Sequence, residues 1–165
     1  MSITASVAVQ KMVGFLTDAN TGVNPAVGQL ANDTGIALQA IPPEQVVNQN
    51  VGVALAEKAA AAKYPAMYVY TDQVRNLLTE KFRRFSGKVR TVTEIRVSQD
   101  RIEGLENQLR LYVDAVTQVL DANRGSWGQG AFYAGGYEVN FGPVQTGGQG
   151  VLQAAKVSFE VDFSE

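Results

Sequence analysis

The sequence predicts an α+β fold, an antiparallel sheet of about four strands with a long helix packed across its apolar face. Three observations lead there. The stretch after Asp100 places apolar residues at spacings of three and four, the signature of an amphipathic helix. Lys88 to Ser98 and Val151 to Phe163 alternate apolar and polar residues, as half-buried strands do. The first third carries helical spacing broken by turn residues. A chain of 165 residues fits one domain, read as a helical N-terminal region (1–62) and a sheet-and-helix core (63–165).

The elements follow in order. Ile3, Val7, Val13 and Leu16 lie near helical spacing, and Asn20, Gly22, Asn24 and Pro25 interrupt them. Pro42 and Pro43 mark a second break. Ala54 to Lys63 (ALAEKAAAAK) has high helix propensity and ends at Tyr64-Pro65, because a residue before proline avoids helical dihedrals. Ala66 to Tyr70 (AMYVY) reads as a strand. In Lys88 to Ser98, Val89, Thr91, Thr93, Ile95 and Val97 share one face. Lys88, Arg90, Glu94 and Arg96 share the other, with Val92 its sole apolar member, so that face is expected to be wet.

Asp100 and Glu103 have the spacing of a capping box. Ile102, Leu105, Leu109, Tyr112, Val113, Val116, Val119 and Leu120 then predict a helix of about 23 residues and about 34 Å, closed by Asn123-Arg124-Gly125. Phe132 to Phe141 and Val151 to Phe163 read as strands flanking GPVQTGGQG, an extended and flexible hairpin arm. At full extension the last strand would span about 43 Å, against the usual 17–20 Å or so. Such a strand must bend, bulge or pair outside the subunit, and pairing outside is the expectation.

Composition narrows the chemistry. The chain has no cysteine and no histidine, which removes thiolate ligands and nucleophiles, disulfides, and the commonest metal ligand and general base. No catalytic residue, metal site or cofactor is expected. A net charge of −2 argues against a wholly basic nucleic-acid binder. No apolar run reaches the roughly 20 residues of a membrane span, and the N-terminal segment lacks the basic start of a signal peptide.

Four groups remain as candidates. Half of the 14 Lys and Arg residues fall between Lys81 and Arg101, so Arg83, Arg84, Lys88, Arg90 and Arg96 are candidates for docking an acidic partner; a solvated strand face and a nucleic-acid contact are the alternatives, the last without the aromatics that single-strand binding would interleave on that face. Gly147 and Gly148 belong to the hairpin arm. Trp127, Phe132, Tyr133, Tyr137 and Phe141 either anchor an interface or pack over the end of the long helix, and Phe163 marks a strand end that something must cover. Glu103 and Glu106 share a helix face without a histidine or an evident cleft to make them an acid–base pair.

The order KYPAMYVYTDQVRN, KVRTVTEIRVSQDR, a long helix ending in NRG, and a closing AAKVSFEVDF resembles tailed-bacteriophage tail terminator proteins over about 100 residues, Lys63 to Phe163. Residues 1–62 fall outside the resemblance. It implies a non-enzymatic structural protein of the virion, assembled in the host cytoplasm: a hexameric ring that caps the head-proximal end of the tail tube, halts its growth and presents a docking surface to the neck. Implied partners are further copies of the chain, the tube protein, a sheath protein where the tail has one, and neck or connector proteins; DNA would pass through without sequence-specific binding. A head-completion or connector protein is the nearest alternative, and a small nucleic-acid-binding module a more distant one.

Overall fold

The computed structural model describes residues 2–59 and 62–165. It is α+β: four helices, and one open, curled sheet of eight strands among the described residues, double the expected number. In chain order the elements are α1 (Ser2–Thr17), α2 (Val23–Thr34), β1 (Val46–Val47), α3 (Val53–Ala59), β2 (Ala66–Asn76), β3 (Ser86–Gln99), α4 (Leu105–Ala122), β4 (Gly125–Gly128), β5 (Ala131–Tyr133), β6 (Glu138–Phe141), β7 (Gln145–Gly147) and β8 (Gly150–Ser164).

The N-terminal region is helical as read, with one shift of boundary. Asp18 ends α1 in a turn whose side chain accepts the N–H groups of Asn20 and Thr21. Asn24 and Pro25 sit inside the first turn of α2 rather than in the break, where a proline sacrifices no helical hydrogen bond. Asn24 reaches across instead, exchanging hydrogen bonds with the backbone of Ile41. The helix expected over Ala54–Lys63 is α3, ending at Ala59; residues 60 and 61 of that expectation lie outside the described residues.

Strands β2, β3 and β8 form the antiparallel centre, with β3 paired to β8 along its whole length, from Ser86↔Ser164 to Gln99↔Val151. Their inner face carries Met67, Val69, Val89, Ile95, Val97, Ala155, Val157, Phe159 and Val161, all buried. Helix α4 covers it with Leu105, Leu109, Tyr112, Val113, Val116, Val119 and Leu120, the face expected from the spacing. Helices α1 and α2 complete that layer.

Three expectations are corrected. First, α4 has 18 residues rather than about 23. Gly104 stands in the left-handed region (φ 80°), and the Gln99 side-chain amide donates to the carbonyls of Arg101 and Glu103, so residues 100–104 form a turn and no capping box. Ile102, counted on the apolar face, is exposed. Second, the overlong last strand needs no partner outside the subunit. Its second edge is paired in succession by β5, β6 and β7, each a few residues long. Third, the hairpin arm is neither extended nor free: Gly148 donates its N–H to Glu57, and the Gln149 N–H donates to Ser98 Oγ.

Candidate docking surface

The outer face of the sheet divides into two halves. At one end Val47, Val51 and, from α3, Ala56 pack against the outer face of β2 and β3, where Ala66, Tyr68, Tyr70 and Val92 are buried. Glu94 and Arg96 are buried with them, so the face expected to be wet is dry here. Arg96 Nε donates to Glu94 Oε2 at 2.6 Å, and the guanidinium lies 4.1 Å from the centre of the Tyr68 ring and donates to the Val51 carbonyl. Tyr70 donates its hydroxyl to Glu94 Oε1 at 3.1 Å. Burial, and then the carboxylate of Glu94, push the Tyr70 hydroxyl well above its ordinary value. Arg96 is therefore a structural cation, and its proposed docking role is corrected.

At the other end the outer face is open to water, but it is a mixed-charge ladder and not a basic stripe. Lys88 stands 2.9 Å from Asp162 and 3.6 Å from Glu160; Arg75 reaches Glu160 at 3.3 Å. A β-bulge between Thr71 and Gln73 turns Asp72 toward Arg90, which donates to both of its oxygens at 2.8 and 2.9 Å. Those bonds raise the Arg90 guanidinium above its usual value, and Glu138 and Glu160 add to the effect. The counter-charges for Lys88 and Arg90 come from strands far away in sequence, a neutralisation that local charge counting misses.

The aromatic candidates split as well. Trp127 and Tyr133 are core residues: Trp127 packs against Phe15, Tyr133 and Phe159 at centroid distances of 5.0, 5.5 and 6.1 Å, and donates its indole N–H to the Asn123 carbonyl. Phe163 is buried among strands of its own chain. As interface anchors these three are corrected. Phe132, Tyr137 and Phe141 remain largely exposed.

What the structure adds is the loop joining β2 to β3, residues 77–85. Leu77, Leu78 and Phe82 are exposed there among Lys81, Arg83 and Arg84, and Phe82 is 103% exposed. Phe82 also has φ 68° and Leu78 φ 47°, a region that costs a bulky residue about 1–3 kcal/mol. The loop is nonetheless firmly held. Asn76 Oδ1 accepts the N–H groups of Leu78 and Ser86, Asn76 Nδ2 donates to the Arg84 carbonyl, and Ser86 Oγ accepts the Glu80 N–H. Arg84 and Phe85 donate their N–H groups to Glu165, and Phe85 is wholly buried beneath. Arg83 is bridged to Glu80 at 3.3 Å, while Lys81 and Arg84 have no salt bridge among the described residues. The spacing of Leu78, Phe82 and Phe85 at i, i+4 and i+7 would suggest one face of a short helix and so a buried role; the signal for exposure was that these apolar residues sit in a basic run.

No group of three or more acidic residues is close enough to hold a metal ion among the described residues, and no described helix is long and apolar enough to cross a membrane. A scan against protein-family models matches none, and a search of curated proteins finds no match either.

Proposed function

We propose that the chain is a tail terminator: a non-enzymatic virion protein that assembles as a hexameric ring on the head-proximal end of a phage tail tube, stops tube growth and receives the neck. The observation that carries this reading is the β2–β3 loop, which holds a fully exposed phenylalanine in a strained conformation between cations. Strain and exposed apolar area both oppose folding of an isolated chain, and a protein partner offsets them. The segments that carry the family resemblance are consistent with it, being the three central strands and the helix across them.

A nucleic-acid module is less well supported, since Lys88 and Arg90 are engaged by carboxylates and leave no continuous basic track. Electron microscopy of lysates from a phage lacking the gene tests the proposal. Tails of irregular, excessive length beside unjoined DNA-filled heads are expected. Normal-length tails with unjoined or leaking heads would make the chain a head-side connector, and fully assembled infectious particles would overturn both readings.

A further inference from the structure

The β2–β3 loop needs an occupant, and the outer face of the same chain offers one of complementary chemistry. Beside β6 lies an open cleft of about 280 Å³ lined by Tyr137, Glu138, Ser158, Glu160 and Arg90. Arg90 is already paired to Asp72, and Glu160 to Arg75 and Lys88, which leaves Glu138 as the charge lining it that is outside a salt bridge among the described residues. A cavity of about 150 Å³ already holds a benzene ring, so there is room for a phenyl group. Tyr137 supplies an aromatic wall, exposed in the isolated chain. Glu138 lies close enough to Arg90 to raise its pKa but forms no salt bridge among the described residues, as Lys81 and Arg84 form none.

Net charge makes the same match. Glu80, Lys81, Arg83 and Arg84 sum to +2, so the remainder of a chain of net charge −2 carries −4. A second copy is thus an acidic partner for the loop, and its cleft puts a carboxylate next to an aromatic surface.

We infer that Phe82 of one copy inserts beside Tyr137 of the next, with Arg84 or Lys81 paired to Glu138. The loop and the cleft are different patches on one molecule, so the contact is head-to-tail, the kind that closes into a ring. The inference rests on the ring-forming reading and names the surfaces that would make the ring.

The absence of cysteine makes the test direct. Arg83→Cys and Ser158→Cys proteins, which keep Phe82 and Tyr137 in place and carry tags of different mass, are mixed and oxidised. Heterodimer in clear excess over the statistical mixture is expected. Adding Glu138→Lys to the Ser158→Cys protein should cut its yield about tenfold, since facing like charges oppose contact, and Arg84→Glu on the other partner should restore it. Homodimers of Arg83→Cys alone, or no crosslink of any kind, would overturn the inference. So would loop-dependent binding of the wild-type chain to phosphatidylserine vesicles without heterodimer, which would make the occupant a membrane surface. The two proposals fail separately: overlong tails without crosslinking leave the terminator and remove this contact, and crosslinking with normal particles does the reverse.

Discussion

Glu94 and Arg96 show how a residue's role depends on what comes to lie above it. Both belong to the outward face of β3, and the stretch carrying Val47, Val51 and Ala56 covers them. A buried ion pair holds little net stability, yet removing one partner strands the other charge. Arg96→Ala or Glu94→Ala is therefore expected to cost about 3–5 kcal/mol in urea unfolding, and an apolar replacement of both to recover most of it. Single variants within about 0.5 kcal/mol of wild type would show the pair to be hydrated. The tyrosines make a second prediction at this scale. Tyr70 is held above its ordinary value of 10.0, so the folded chain keeps that proton where the unfolded chain loses it. Its contribution is complete below pH 10 and declines as pH rises beyond it. The midpoint of thermal unfolding should fall on the alkaline side, and Tyr70→Phe should flatten that fall; an unchanged slope would refute the assignment.

Among elements, β2 and β3 approach so closely at Gly87 that a Cβ there would lie 1.9 Å from the Arg75 carbonyl oxygen. Gly87→Ala must spread the hairpin just below the β2–β3 loop, at an expected cost of about 1–3 kcal/mol or more. Gly14→Ala, on α1 with open space around it, is the matched control and should stabilise by about 0.5–1 kcal/mol. Thermal unfolding of the pair separates backbone crowding from glycine entropy. Leu109→Ala, at the centre of the apolar face of α4, is expected to lose about 2–5 kcal/mol in chemical denaturation; a loss near zero would mean the helix is packed through another face.

For the whole molecule, the proposed function rests on a surface and not on a pocket of reactive groups. Phe82 touches so little of its own chain that Phe82→Ala should leave unfolding within about 0.5 kcal/mol of wild type. The same variant should lose assembly, measured as particle mass by light scattering or as complementation of the null phage. A variant that is both stable and assembly-competent would remove the loop from the proposed interface.

Periodicity and local chemistry were enough to determine the α+β class, the buried face of α4, the strand character of β2, β3 and β8, and the helical N-terminal region, because each depends on residues a few positions apart. The tertiary structure alone decided the rest, for reasons of distance along the chain. The edge strands β5, β6 and β7 satisfy β8 from up to about 30 residues away. The carboxylates that neutralise Lys88 and Arg90 come from other strands, and a covering segment some 45 residues upstream turns Arg96 from a docking cation into a core one. Exposure of Phe82 follows the same rule: an apolar residue is usually buried, and only the arrangement of everything around it leaves this one in water.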